Sequence, residues 1–340
     1  MLVSTPEDYG LNAESTLDHR ADTDRPEGFE TFWADFREDC LATGQHWVGS
    51  TDETRNQIWI PSLRSIRVCG DLWMPNERPT AAVITLHGYV AEDNFDAEPD
   101  PWFASGIASL RIRVRGYPPS TRDIDDLRTN WIRNGLDTPE SWIVRGAVGD
   151  VVQAVRTLRM ALGPDIPIML RGDSFGGGLA VLASAQLQEM HVPIDHLIIG
   201  FPTFGDWRWR RDRYCNGSGG EVNAFLESMR SEADALLERL RLFDATLHAP
   251  DVTTPTLALL ALRDDTVPAP TAAAIVNALG SSELRRFLVR YGHYDGGIAD
   301  GRRHIKFARA VNACVTGGLE EVLPASDLAK HNQSVLQASC

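Results

Sequence analysis

The stretch that decides the fold is IPIMLRGDSFGGGLAVLASAQ, residues 166–186. An apolar run ends at Arg171-Gly172, a single serine follows between glycines, and an alanine- and leucine-rich run begins. Gly172 to Gly176 read GDSFG, a G-x-S-x-G pattern placed after a strand and opening a helix. That context is the one in which the pattern marks a sharp turn holding its serine in a strained backbone conformation. The flanking glycines let strand and helix approach closely, and Gly177 and Gly178 extend that freedom into the helix.

Outward from this turn the chain alternates. AAVITLHG, SLRIRVRG, IPIMLRG, DHLIIGFP, TPTLALLALRDD and ELRRFLVRYGH are strand candidates, separated by helical segments such as RGAVGDVVQAVRTLRMAL, GGGLAVLASAQLQEM and PTAAAIVNALG. Strands apolar enough to be covered on both faces, alternating with helices, predict a mostly parallel central sheet flanked by helices. NQIWIP and SIRVCGDLWMP lead into it as an antiparallel pair. Before them, Phe29, Phe32, Trp33 and Phe36 recur at helical spacing within an otherwise polar, acidic stretch. The expected organisation is therefore an α/β fold with an N-terminal helical extension at 1–50, a core domain at 51–315 and a loosely docked tail at 316–340. A helical insertion at about 203–250, between two core strands, is placed to roof a site at the carboxyl edge of the sheet.

Composition narrows the function. The 340 residues are 43% hydrophobic, enough for a large core. A formal charge of −14 repels polyanions, which argues against nucleic acid and anionic membrane surfaces as partners. The start, MLVSTPEDYG, has no basic segment followed by an apolar one, and no apolar run approaches the ~18 residues of a membrane span, so a cytoplasmic protein is expected. Five dispersed cysteines form no CxxC pair and predict neither a disulfide framework nor a zinc site. His19, His46, His191, His196, His248 and His304 have no metal-ligand spacing and are read as structural or exposed. No metal or organic cofactor is expected.

A serine hydroxyl is a weak nucleophile and needs a base, which in turn needs an orienting carboxylate. In this topology the order is Ser, then Asp or Glu, then His, on loops after successive strands. Ser174 is followed by Asp264 and Asp265 at the end of ALLALRDDTVP, and by His293 at the end of RRFLVRYGHYDGG. Asp264, where the strand stops, is preferred as the acid; Asp265 is suited to cap the following turn. Asp173 is expected to hydrogen-bond or salt-bridge at the elbow. The oxyanion of an acyl-transfer intermediate requires donors, and the backbone N–H groups of Phe175 and of Tyr89, in TLHGYVAEDN, are the candidates. His87 in that loop is read as a support for the turn.

Together these segments resemble the acetyl xylan esterase and cephalosporin C deacetylase family, carbohydrate esterase family seven, of the α/β-hydrolases. The resemblance spans about residues 25–310 and is carried by GFETFWADF, HGYVAEDN, WIRNGLDTPESWIVRGAVGDVVQAVRTL, RGDSFGGGLA, FPTFGDWRWRRDRY, ALRDDTVPAPT and YGHYDGG. It implies a triad of Ser174, Asp264 and His293, oxyanion donors at Tyr89 and Phe175, and assembly into a closed homo-oligomer, often a hexamer. Departures border the expected pocket. Ala91, Glu92 and Asp93 stand where glycines are usual, Arg113 replaces an aspartate, Pro118 a glycine, and Tyr294 a glutamate after the histidine.

The expected activity is that of a serine carboxylesterase or deacetylase acting on acetyl or other short acyl esters of a small molecule, a sugar or an antibiotic-like metabolite. Acyl transfer to another acceptor, and amide or thioester hydrolysis, use the same triad and remain alternatives. Candidate pocket residues are Glu92, Trp207, Trp209 and Tyr294. DWRWRRDRY, residues 206–214, is expected to form a lid or a subunit contact.

Overall fold

The computed structural model describes residues 8–51, 55–90, 100–120 and 131–337. Nine strands among these form one sheet: β1 (Val48–Thr51), β2 (Arg55–Pro61), β3 (Arg67–Trp73), β4 (Ala82–Leu86), β5 (Ala108–Arg113), β6 (Ile168–Asp173), β7 (His196–Gly200), β8 (Thr256–Arg263) and β9 (Leu284–Tyr291). Their order across the sheet is β1-β2-β3-β5-β4-β6-β7-β8-β9. The first three pair antiparallel and β3 joins β5 antiparallel; from β5 to β9 every pairing is parallel. The six strands read from the alternation are all present. β1 was not anticipated, because VGST is short and polar and takes its place only by pairing with β2.

The helices are α1 (Ala13–Leu17), α2 (Phe29–Ala42), α3 (Ile143–Leu162), α4 (Phe175–Glu189), α5 (Trp207–Arg211), α6 (Gly217–Met229), α7 (Ala233–Leu240), α8 (Ala245–His248), α9 (Ala269–Ala278), α10 (Gly297–Val315), α11 (Leu319–Val322) and α12 (Leu328–Gln337). Among the described residues none is long and apolar enough to cross a membrane. α2 is an amphipathic helix whose Phe29, Phe32, Trp33, Phe36 and Cys40 are all buried. The Trp33 indole N–H donates to the Leu242 carbonyl at 2.9 Å, so the extension is fixed to the insertion.

Charge complementarity also ties the two together. Arg208 meets Asp22, Asp24 and Glu238, Arg241 meets Asp24 and Glu238, and Arg25 meets Asp251. Asp22 and Asp24 near the start of the chain are thus matched to Arg208 and Arg241 of the insertion. The core near β5 is fixed by buried ions. Arg115 is paired with fully buried Asp150 at 2.7 Å, and Ser62 donates to the same carboxylate at 2.5 Å. Arg113, the residue that departs from the family pattern, is buried and paired with Asp71 across the β3–β5 junction at 2.9 Å.

Within the described part of the C-terminal segment, α12 is hydrogen-bonded to the edge of β9. Asn332 of α12 accepts from the Arg286 backbone N–H at 2.9 Å and donates to the Leu284 carbonyl at 2.8 Å, and His331 meets the Arg286 carbonyl. One amide side chain thereby does for the β9 edge what a neighbouring strand would. Burial pushes the thiols of Cys40 and Cys314 up to about 12 and that of Cys215 up to about 11.

Candidate active site

β6 delivers Ser174 to the carboxyl edge of the sheet. Its backbone sits at φ 55, ψ −117, a strained conformation for a residue with a side chain. Three backbone hydrogen bonds hold it there. Ser174 N–H donates to the Gly200 carbonyl at 2.7 Å, while its own carbonyl accepts from Gly178 at 3.0 Å and Thr203 at 3.1 Å. The glycines are required by space. A Cβ on Gly172 would lie 2.4 Å from the Gly176 carbonyl, and one on Gly178 would lie 2.4 Å from the Thr203 oxygen. Asp173, expected to bond within the elbow, instead exposes its side chain, whose Oδ1 covers Gly200.

β8 and β9 supply the partners. His293 Nε2 lies 3.0 Å from Ser174 Oγ, and His293 Nδ1 lies 2.7 Å from Asp264 Oδ2. A carboxylate only accepts, so Nδ1 carries the proton and Nε2 is free to accept from the serine hydroxyl. Asp264 is fully buried, and its other oxygen accepts from the backbone N–H groups of Thr266 at 3.0 Å and Val267 at 3.2 Å. The turn-capping role expected of Asp265 therefore belongs to Asp264 as well. Asp265 instead accepts from the Asn216 side chain at 3.1 Å. Gly292 was missed in the sequence, although it is visible in YGHYDGG. A Cβ there would fall 1.8 Å from Asp264 Oδ2, so only glycine leaves room for the carboxylate beneath the histidine.

The loop after β4 runs against the elbow. The carbonyls of Leu86 and His87 lie 3.0 and 2.8 Å from where a Cβ on Gly176 would sit, and the rings of Tyr89 and Phe175 are 5.7 Å apart. Phe175 opens α4, so its N–H has no acceptor within the helix. His87 does support the turn. Its Nε2 accepts from Val114 N–H at 3.2 Å and Nδ1 meets the Gly88 carbonyl at 2.8 Å, while burial pushes its pKa down to about 4 and keeps it neutral. Tyr117, also missed, donates its hydroxyl to the Tyr89 carbonyl at 2.7 Å.

Of the candidate pocket residues, Tyr294 is 40% exposed directly after His293. Glu92 lies outside the described residues. Trp207 is a correction: at 1% exposure it belongs to the core, stacked on Phe204 with Arg210 over its ring at 4.0 Å, and it offers no surface to a substrate. Asp244 accepts from the backbone N–H groups of Asp206 and Trp207 and so tethers the start of α5, whose N-cap is Asp206, in the interior. Trp209 packs on Tyr9 and His19 and carries Arg213 on its face at 4.0 Å, serving as a post for the N-terminal segment. The segment 206–214 is thus anchored to the N-terminal residues through Trp209 and to Asp244 through its first two backbone N–H groups. Among the described residues no group of His, Cys, Asp or Glu is arranged to hold a metal ion.

A strained serine after a parallel strand, with acid and histidine loops following in that order along the sheet, defines the chain as an α/β-hydrolase. The fold is shared with an acetyl xylan esterase from Paenibacillus sp. R4, at 19% identity and a TM-score of 0.74 over 88% of this chain and 99% of that one. It is also shared with acetyl xylan esterase 1 from Thermoanaerobacterium sp., at 18% identity and a TM-score of 0.73 over 87% of this chain and 98% of that one. Among curated proteins no sequence matches the chain. The family model for acetyl xylan esterase (AXE1) matches residues 10–310, and the chain belongs to that family. It is a carboxylic ester hydrolase of the serine-hydrolase type.

Proposed function

We propose that the protein is a serine carboxylesterase that removes acetyl or another short acyl group from a small alcohol, such as a sugar or an antibiotic-like metabolite, through an acyl-enzyme on Ser174. The observation that carries this reading is the continuous chain of contacts from Ser174 Oγ to His293 at 3.0 Å and from His293 to Asp264 at 2.7 Å. Ser174 Oγ attacks the ester carbonyl carbon as its proton passes to His293 Nε2. Asp264, fully buried and anchored by two backbone N–H groups, stabilises the imidazolium. The oxyanion accepts from the backbone N–H groups of Tyr89 and Phe175. The C–O bond to the alcohol then breaks as His293 returns the proton to the leaving oxygen. Water attacks the acyl carbon with His293 again as base, which releases the acid and restores the serine.

The preference for acetyl is supported by the family and by the names of the structural relatives. Assembly into a closed homo-oligomer is part of the same proposal and is supported by the family resemblance. The test is hydrolysis of p-nitrophenyl acetate, butyrate and octanoate by the wild type and by Ser174→Ala. Turnover strongest on acetate and abolished in the variant is expected. Turnover surviving in Ser174→Ala refutes the assignment, and a preference for octanoate refutes the short-acyl reading.

A further inference from the structure

The N-terminal end of α6 touches two loops of the site at once. At its start, Asn216 N–H donates to the Asp265 carbonyl at 2.7 Å and the Asn216 side-chain amide donates to Asp265 Oδ1 at 3.1 Å. Gly217 follows at φ +58, with the Thr266 methyl 3.3 Å from where its Cβ would be. Asp265 and Thr266 directly follow Asp264, so this end of the helix grips the acid loop. One turn further on, half-buried Glu221 accepts from the Tyr89 hydroxyl at 2.9 Å. That hydroxyl also accepts from Ile132 N–H at 3.2 Å, and the Tyr89 carbonyl is held by Tyr117 at 2.7 Å. Arg133, beside Ile132, lies over Phe225 of the same helix at 4.9 Å. Burial pushes the Glu221 carboxyl up, while the Tyr89 hydrogen bond and the Arg133 charge oppose that shift.

We propose that Glu221 is a positioning residue for the ester-hydrolysis reaction. With Asn216 it makes the N-terminal end of α6 a brace that fixes the loop bearing Tyr89 against the loop bearing Asp264. The inference rests on the reading of Tyr89 N–H as an oxyanion donor. An oxyanion donor contributes through its placement on the developing charge, and a backbone N–H in a loop has no rigidity of its own. Tyr89 gains that rigidity from its side chain, whose hydroxyl at the far end is pinned between Glu221 and Ile132, while its carbonyl is pinned by Tyr117. The N-cap of the same helix holds the acid loop, so the two halves of the machinery share one rigid reference. Because the substrate carbonyl carries little charge before attack, loosening the brace weakens the transition state more than the bound substrate.

The experiment measures kcat and KM for p-nitrophenyl acetate, and the rate at which a phosphonate labels Ser174, in the wild type, Glu221→Leu, Glu221→Gln, Tyr89→Phe and the Glu221→Leu/Tyr89→Phe double variant. Glu221→Leu and Tyr89→Phe are each expected to lower kcat roughly tenfold to a hundredfold with KM changed less than about threefold, and to slow labelling in parallel. The double variant is expected to be no slower than the slower single one, because both remove the same contact. Glu221→Gln keeps an acceptor for the tyrosine hydroxyl and is expected to restore most of kcat, which a purely electrostatic role of the carboxylate would not allow. Wild-type kcat in folded Glu221→Leu, fully additive losses, or an effect confined to KM overturns the brace. If Glu221→Leu does not fold, Tyr89→Phe decides by the same criteria, and a loss of kcat in Glu221→Gln as large as that in Tyr89→Phe also overturns the brace. Failure of the underlying reading shows separately: turnover that survives Ser174→Ala removes the esterase mechanism, whereas a dead Ser174→Ala beside an unaffected Glu221→Leu and Tyr89→Phe removes only the brace.

Discussion

Gly292→Ala adds one methyl group at a position whose φ lies outside the left-handed region that favours glycine, so the space around that methyl decides the outcome. The new Cβ would lie 1.8 Å from Asp264 Oδ2 and 2.8 Å from its Cγ. Real Cβ contacts begin near 3.0 Å, so oxygen and methyl must separate by about 1.2 Å more. The carboxylate cannot swing aside freely, because its other oxygen is held by Thr266 and Val267 N–H at 3.0 and 3.2 Å. Nor can Gly292 retreat without disturbing its N–H bond to the Arg263 carbonyl, at 3.3 Å, and the histidine that follows it. A shift of that size takes the 2.7 Å Asp264–His293 contact out of hydrogen-bond range. Misplacing a catalytic group by about 1 Å costs on the order of 10² in rate, and losing the orienting acid costs on the order of 10⁴, so kcat is expected to fall between those limits. The overpacking itself costs about 1–3 kcal/mol of stability, which leaves the domain folded. Steady-state kinetics on p-nitrophenyl acetate with a thermal melt of the same sample reads both quantities. A folded Gly292→Ala enzyme within about threefold of wild-type kcat refutes the claim that the Asp264–His293 contact limits the reaction.

Two further outcomes follow from buried groups away from the site. Asp150→Ala leaves the Arg115 guanidinium, 2% exposed, without its carboxylate, and urea unfolding is expected to show a loss of about 3–5 kcal/mol; a loss below about 1 kcal/mol contradicts the role given to the pair. His248 is fully buried between Phe29 and Trp33, meets the Leu242 carbonyl through Nε2 at 2.9 Å and accepts at Nδ1 from the Gln186 amide at 3.2 Å, and burial depresses its pKa from 6.5 to about 3. The unfolded chain then binds a proton that the native state refuses, so stability is full above pH 6.5 and falls as pH drops toward 3. At about pH 4.5 the His248 contribution to that loss is roughly 3 kcal/mol, and His248→Gln is expected to show a pH dependence of unfolding flatter by that amount; an unchanged slope contradicts it.

The parts of the fold that were legible in the sequence are those with local causes. Strands buried on both faces carry an apolar run, as Ile168–Leu170 does in β6, Leu197–Ile199 in β7 and Leu257–Leu262 in β8. The elbow announces itself because Gly172, Gly176 and Gly178 stand where backbone meets backbone. Ser174, Asp264 and His293 lie at the ends of three separate strands within hydrogen-bond reach of one another, and the elbow motif with the acid and histidine loops that follow it in order pointed to those three positions. What was not legible depends on partners far away in the chain. The burial of Trp207 in an arginine-rich segment goes with the distant Asp244 carboxylate that holds the start of α5 and with Arg210, which lies on the indole. The docking of α12 rests on Asn332 and His331, which bond the β9 backbone as a strand would, and this leaves no periodicity to read. Likewise Glu221 and Tyr89 are 132 residues apart, and neither has a sequence neighbour that points to the other.

The central claim is that Ser174 carries the acyl group. The direct measurement is to mix the protein with p-nitrophenyl acetate, quench with acid within the first turnover, and map the peptides by mass spectrometry. An acetyl group on the peptide containing Ser174, formed with the burst of nitrophenol and lost on the timescale of steady-state turnover, is the result the account predicts. Turnover without any covalent adduct, or an acetyl group that resides on another residue and turns over at the catalytic rate, contradicts it.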